Sequence, residues 1–132
     1  MNAERTATPA WVRRLIAIGI IGLGAILTVP LITSGVVSPV PHLVGQAMGM
    51  GFLVTGLLLM ERRPAHRVSQ LLFAFGTGSG LLQLGDAYVR MPVPLPGVPL
   101  VATLFNHGEL ILFPLLAAMF VVFPDGTALS PR

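Results

Sequence analysis

The sequence contains no cysteine and no lysine, and charged residues make up only 10% of its 132 positions. The absence of cysteine excludes a disulfide framework, a thiolate metal site and a redox motif. The net charge of +3 is small and its arginines are scattered, which argues against nucleic-acid binding. No residue pattern indicates a catalytic group, a metal site or a cofactor, so we expect a chain without catalytic activity.

Apolar residues, by contrast, account for 54% of the chain, with a mean hydropathy of +0.84. A soluble protein this short has too little interior to bury so much apolar surface. The composition therefore predicts an integral membrane protein. The exclusive use of arginine, with abundant alanine, glycine, proline and valine, is typical of a GC-rich bacterial genome, so we expect the inner (plasma) membrane.

Four apolar runs, each of about 18 residues or more, organise the chain. Such runs cross a hydrocarbon core of about 30 Å as helices, and they are continuous rather than alternating, unlike barrel strands. We predict an all-α membrane protein, a bundle of four transmembrane helices. The expected spans are 15–33, 43–60, 68–88 and 100–123, with a cytoplasmic segment at 1–14 and an exit segment at 124–132. The first run also fits a secretory signal peptide, although no small-residue cleavage site follows it cleanly.

The charges between the runs predict the orientation. The linker at 61–67 carries three arginines, whereas the linkers at 34–42 and 91–99 are uncharged and contain several prolines. Seven of the eight arginines then fall on one side of the membrane, and only Arg90 falls on the other. The positive-inside rule therefore places both termini and the 61–67 linker in the cytoplasm.

A set of polar side chains lies inside the apolar runs. An ionised carboxylate near the bilayer centre costs about 2.5–3.5 kcal/mol, so Glu109 must face the protein interior, be protonated or have a partner. An antiparallel hairpin around Leu95 would place Gln83 at the depth of His107, with Asp86 one turn nearer the outside. We predict one polar cluster in the outer half of the bundle. Its members are Gln46, Gln83, Asp86, Asn106, His107 and Glu109.

Two interpretations of this cluster stay open. It is either a site that senses protons or a ligand, or a set of hydrogen bonds that holds the helices together. His107 lies two residues from Glu109 and therefore on another helix face, so the two are a poor metal-binding pair. His42 and His66 fall in the predicted linkers, and we interpret both as ordinary surface histidines.

Glycines and one proline give further predictions. Gly45 with Gly49, and Gly76 with Gly80, have the four-residue spacing of small residues that lets helices approach closely, within the chain or in a dimer. Pro114 lacks a backbone donor and predicts a kink within the fourth run.

The last residues, VFPDGTALSPR at 122–132, form a helix exit, an Asp-Gly turn and a polar basic stretch. They resemble the FPDG segment of the N-terminal membrane domain of actinobacterial sensor histidine kinases. Residues 56–76 and 88–105 are similar, in the same order, to that family's arginine-rich hinge and its proline-containing outer loop. The matching positions are Arg62, Arg63, Pro64, Arg67, Tyr88, Leu95, Pro96, Gly97, Phe123, Pro124, Asp125 and Gly126.

The resemblance covers about residues 50–132 and implies a signal-input module of a two-component system. Such a module anchors a kinase and transmits a stimulus, as a dimer, through a small helix displacement, for which Pro114 is the expected pivot. It also implies a phosphoacceptor helix and an ATP-binding domain further along the natural chain. The expected partners are the lipid bilayer and a second copy or another membrane helix, with no nucleic acid.

Two alternatives belong to other functional classes. The chain could be a non-catalytic accessory subunit that pairs with a larger membrane protein through its glycine faces. It could also be a small proton-coupled transporter in which Glu109 is the coupling acid.

The orientation is testable because the chain has no native cysteine. In intact cells, we expect an impermeant thiol reagent to label Ser38→Cys and to leave Ala65→Cys unlabelled. Permeabilising the membrane should allow both positions to react, which serves as the control. Labelling of position 65 alone in intact cells would reverse the predicted orientation.

Overall fold

The computed structural model describes residues 8–63 and 66–122, apart from the side chains of Glu109 and Ile111. This part of the chain is helical and contains no strand, which confirms the predicted all-α class. The five helices are α1 (Ala10–Thr33), α2 (Pro39–Arg62), α3 (Arg67–Val89), α4 (Val98–Phe105) and α5 (Glu109–Val122). Within the described ranges, α1 and α2 are each long and apolar enough to cross a membrane.

The fourth apolar run forms two helices rather than the single helix predicted over 100–123. Helix α4 ends at Phe105, a turn covers 106–108, and α5 begins at Glu109. Asparagine and glycine are weak helix formers, and the run contains both at Asn106 and Gly108. The interruption therefore lies six residues before Pro114, which is inside α5.

Helix α3 is the central element of the fold. It contacts each of the other four helices, and α1 and α2 also contact each other. Within the described residues, α4 and α5 contact α3 but neither α1 nor α2. The chain thus has a three-helix unit, α1–α3, and a helix pair, α4–α5, that packs on α3 alone.

Glycines of α3 provide the surfaces for these contacts. A Cβ atom at Gly76 would overlap the backbone of Leu53 in α2, and one at Gly80 would overlap the side chain of Ile20 in α1. The prediction of close packing at Gly76 and Gly80 is therefore confirmed, and both contacts lie within the chain. On the other side, a Cβ at Gly78 would lie 2.8 Å from Leu112 of α5.

The same close approaches define how the helices run. Helices α2 and α3 are antiparallel, because Gly56 meets Phe73 while Gly76 meets Leu53. The α4–α5 pair is also antiparallel to α3. Its contacts with α3 join Phe105 to Gly85, Gly108 to Leu82 and Leu112 to Gly78, which is the register of a hairpin around Leu95.

The two ends of the structure differ in charge. At one end, called here the arginine end, α1 begins, α2 ends and α3 begins, so that it holds Arg13, Arg14, Arg62, Arg63 and Arg67. The opposite end, called the proline end, holds the turns at 34–38 and 90–97. There the hydroxyl of Tyr88 donates a hydrogen bond to the carbonyl oxygen of Pro96 at 2.6 Å. Gly97, with φ of 73°, then leads into α4.

Most of the apolar surface faces outward. The buried hydrophobic cluster is small and consists of Ala17, Ile20 and Leu53, with partly buried neighbours around it. Large apolar side chains are exposed along the helices, including Ile26 at 68% and Phe120 at 75%. An exterior this apolar is unusual for a protein in water and suits contact with lipid or with other proteins.

Alanine substitution of two glycines tests the close packing on α3. We expect Gly76→Ala to lower the thermal unfolding midpoint in detergent micelles, because its methyl group would overlap the backbone of Leu53; such overpacking costs about 1–3 kcal/mol. Gly51→Ala is the matched control, since nothing lies within 4 Å of its Cβ position. Gly51→Ala should leave the thermal midpoint unchanged or raise it, because replacing glycine by alanine within a helix stabilises it by up to about 1 kcal/mol. Equal effects of the two variants would contradict the packing described here.

Candidate functional site

A cavity of about 460 Å³ lies near the proline end, where α2 and α4 both approach α3 without contacting each other. Helix α3 forms its floor, and α2 and α4 form its sides. The lining residues are Pro41, His42, Gly45, Leu82, Gln83, Gly85, Asp86, Val89, Ala102, Phe105 and Asn106. Polar groups from three separate parts of the chain therefore line one space, together with apolar walls.

Phe105 and Gly85 determine how close α4 lies to α3. A Cβ atom at Gly85 would lie 2.6 Å from Cγ of Phe105, so the absence of a side chain at position 85 makes room for the phenyl ring. The ring packs on the backbone of α3 and leaves the space between α4 and α2 open. Gly45 on the opposite side has nothing within 4 Å of its Cβ position, so the α2 wall is also free of a side chain there.

Gln83 connects α3 to α2 at the cavity. Its Nε2 donates a hydrogen bond to the carbonyl oxygen of Gly45 at 2.9 Å. The same nitrogen lies 2.8 Å from the position that a Cβ at Gly49 would occupy. The glycine at position 49 therefore makes the space in which the Gln83 side chain reaches the backbone of α2.

Asp86 and Arg90 form an ion pair on the last turn of α3. The Nε of Arg90 lies 2.7 Å from Oδ1 of Asp86, and the two side chains are 52% and 47% exposed. An exposed pair with this four-residue spacing stabilises a helix only slightly. Its consequence for the cavity is electrostatic, because the carboxylate that lines the cavity already has a cationic partner.

His42 lines the cavity although the sequence interpretation treated it as an ordinary surface histidine. Helix α2 begins at Pro39, four residues before the predicted span, so His42 lies inside the helix. Its Nε2 is buried and has no hydrogen-bond partner among the described residues. The antiparallel α2–α3 register places His42 beside Asp86. This register is the signal from which His42 could have been predicted to line the cavity.

The structure separates the members of the predicted polar cluster. Gln83, Asp86 and Asn106 line the cavity together, whereas His107 is exposed and does not line it. The side chain of Glu109 lies outside the described residues. Gln46 faces α1 instead, because its position on α2 is one residue beyond Gly45, about 100° further around the helix.

Gln46 belongs to a second polar contact, which joins α2 to α1. Its Nε2 donates a hydrogen bond to Oγ1 of Thr28, and that hydroxyl donates in turn to the carbonyl oxygen of Gly24 at 2.7 Å. Gln46 and Thr28 are both buried. This contact has every feature of a structural link between helices, and it is separate from the cavity.

The positions of the family resemblance that the structure describes lie at both ends. At the arginine end, Arg62 ends α2, Arg63 follows it, and Arg67 begins α3. Tyr88, Leu95, Pro96 and Gly97 lie at the proline end. The other matching positions fall outside the described residues, namely Pro64, Phe123, Pro124, Asp125 and Gly126. In the part of the chain that the structure describes, no three histidine or acidic side chains are grouped in a way that could hold a metal ion.

Comparison of the chain with protein-family models, with curated proteins and with solved structures finds no match. The functional argument therefore rests on the residues and on their arrangement.

A second ion pair, at the arginine end, joins α1 to α2. The Nε of Arg14 donates a hydrogen bond to Oε1 of Glu61 at 2.6 Å. Both residues are exposed and lie just outside the predicted spans 15–33 and 43–60. This hydrogen bond holds the pKa of the Glu61 carboxyl below its usual value and raises the pKa of the Arg14 guanidinium.

The lowered pKa of Glu61 predicts a pH dependence of stability. The folded chain binds a proton at Glu61 less readily than the unfolded chain, so protonation favours unfolding. The stabilisation is present above the unfolded pKa of about 4.3 and is lost as the pH falls through the lower folded pKa. We expect the thermal midpoint of the wild type to fall more steeply than that of Glu61→Gln as the pH is lowered through this range. Identical pH profiles would show that the pair does not contribute.

Proposed function

We propose that this chain is a membrane-embedded sensor or anchoring module, resembling the input domain of a two-component sensor histidine kinase. In this proposal, a stimulus displaces the α4–α5 pair relative to the α1–α3 unit. The observation that carries it is the contact pattern within the described residues, in which α4 and α5 pack on α3 alone. A helix pair attached along one side can shift without disrupting the rest of the core.

The membrane location is supported by the apolar exterior. Helices α1 and α2 are each long and apolar enough to span a bilayer, and large hydrophobic side chains are exposed along all of the helices. In the proposed topology α3 is the third span, and α4 with α5 together form the fourth. The arginine end is cytoplasmic, because Lys and Arg are enriched in cytoplasmic loops. The proline end, with the cavity, then faces outward.

The contacts between the α4–α5 pair and α3 suit a small displacement. They include Phe105 on Gly85, Leu82 on Gly108 and Leu112 on Gly78, so each of these contacts sets a side chain against a glycine. The turn at 106–108 gives the pair a second point at which it can bend, in addition to Pro114. A shift at the cavity would therefore reach α5, whose last residues lead toward the FPDG segment.

The accessory-subunit and transporter alternatives remain compatible with the chain, but fewer observations support them. The accessory-subunit alternative relied on glycine faces for pairing, yet Gly49, Gly76 and Gly80 are occupied by contacts within the chain. Gly19, Gly22, Gly45 and Gly51 have nothing among the described residues within 4 Å of their Cβ positions, so a second copy or another membrane helix could still approach closely there. The transporter alternative depends on Glu109, whose side chain lies outside the described residues.

Distance measurements between spin labels test the proposed displacement. Labels at Ala47→Cys in α2 and Ala117→Cys in α5 report on the helix pair, and both sites are exposed. The reference pair, Ala25→Cys with Ala47→Cys, lies within the α1–α3 unit. When nanodiscs are changed from dimyristoyl- to dierucoylphosphatidylcholine, we expect the 47–117 distance to change more than the 25–47 distance, because a thicker bilayer favours a different tilt.

The reference pair makes the outcome decisive. If both distances change equally, or if neither changes, α4–α5 is not an independently moving element and the displacement proposal is wrong. Unchanged thermal midpoints of the doubly labelled chains would show that the labels themselves do not disturb the fold.

A further inference from the structure

We propose that the cavity near the proline end binds a neutral, lipid-soluble ring compound that carries a carbonyl or hydroxyl oxygen. The inference names the ligand class of the proposed sensor, and it rests on the proposed function for its role in signalling. Binding itself can be measured independently of any signal. The residues that carry the argument are His42, Gln83, Asp86, Phe105 and Asn106.

The size and construction of the cavity suit a small molecule. Its volume of about 460 Å³ falls within the range of about 300–1,000 Å³ that is typical of small-molecule sites. Its walls come from α2, α3 and the end of α4, so its shape depends on the relative positions of three helices. In the proposed topology it lies within the outer part of the bilayer, where a lipid-soluble compound is concentrated.

The hydrogen-bonding groups of the cavity favour a ligand oxygen. The Nε2 of His42 is buried without a partner among the described residues, and leaving such a group unpaired costs about 1–3 kcal/mol. The side-chain amide of Asn106, which is exposed on the α4 side, lines the same cavity. One N–H of Gln83 already donates to the carbonyl oxygen of Gly45. His42 and Asn106 are therefore groups that can bind a ligand from the α2 side and the α4 side.

The charges of the cavity favour a neutral ligand. Asp86 supplies the formal charge among the lining residues, and Arg90 lies 2.7 Å from its Oδ1. A cationic ligand would compete with Arg90 for the carboxylate, whereas an anionic ligand would be repelled by it. A neutral compound meets neither obstacle, and it crosses lipid at low cost.

The apolar walls favour a ring. Leu82, Val89, Ala102 and the phenyl ring of Phe105 line the cavity together with the polar groups. Aromatic rings pack well in offset-stacked or edge-to-face arrangements against a phenyl group. Phe105 and Asn106 both belong to the α4 side, so a ligand that also bonds His42 would connect α4 to α2. These two helices do not contact each other within the described residues.

The test compares three probes that each carry a decyl chain, namely decylbenzoquinone, decylammonium and undecanoate. Each is titrated into nanodiscs that contain the full chain, with empty nanodiscs as the blank, and affinity is derived from the rise in thermal midpoint. We expect the neutral quinone to bind at least about tenfold more tightly than either charged probe. His42→Leu and Asn106→Leu should each weaken its binding about tenfold, the effect of one lost hydrogen bond of about 1.4 kcal/mol.

The controls separate binding from general effects on the fold. His107→Leu changes an exposed histidine that does not line the cavity, and it should bind the quinone as the wild type does. Ala102→Trp should fill the cavity and abolish binding. Equal affinity for a charged probe would overturn the neutral assignment, and equal affinities of His42→Leu and His107→Leu would overturn the placement at His42. No rise in midpoint with the quinone would overturn the inference as a whole.

A second measurement tests the proposed function separately from ligand binding. The spin-label distance between positions 47 and 117 is measured in the same nanodiscs, with and without the quinone. Binding without any change in that distance, in either lipid, would support the binding site and contradict the sensor mechanism. A distance that responds to lipid thickness while the quinone fails to bind would contradict the binding site and leave the sensor mechanism standing.

Discussion

The close approach of other helices to α3 is the constraint on which the rest of the structure depends. In the proposed membrane setting there is little hydrophobic gain from bringing helices together, so their association would depend on van der Waals packing and on interhelical hydrogen bonds. Glycine permits such packing by allowing backbones to approach. Each neighbour of α3 meets a glycine of its own: Gly80 for α1, Gly76 for α2, Gly85 for α4 and Gly78 for α5.

This arrangement also explains where the cavity lies. Because every other helix packs on α3, some of these helices do not contact one another within the part of the chain that the structure describes. Among the described residues, helices α2 and α4 both pack on α3 without contacting each other, and near the proline end the space between them is bordered by Gly45, which has no side chain to fill it, and by the Phe105 ring on Gly85. The polar contacts hold the three-helix unit together independently, through Gln46 and Thr28 and through Gln83 and Gly45. The α4 side of the cavity can therefore move without loss of those hydrogen bonds, which join only α1, α2 and α3.

Much of the fold could be predicted from hydropathy and spacing, and the failures have physical causes. The apolar runs predicted the first three helices, and the hairpin around Leu95 predicted the depth at which Gln83 lies. Depth alone does not say which neighbour a side chain contacts, so Gln46 was grouped with the cavity residues although it bonds Thr28 of α1. Hydropathy averaged over the length of a span does not detect the turn at 106–108, because long apolar segments flank the short polar stretch 106–109 on both sides. His42 was missed because Pro39, favourable in the first turn of a helix, starts α2 before the apolar run begins.

The shortness of α4 has a consequence for how the protein is made. Its eight residues rise only about 12 Å, less than half of a hydrocarbon core of about 30 Å. In the proposed topology it cannot enter the bilayer as a separate span. The carbonyl and amide groups at the turn that follows would also meet lipid without partners, unless protein already covers them. In that topology the α4–α5 pair enters the bilayer only once α3 is in place, which makes the central helix a template for its assembly.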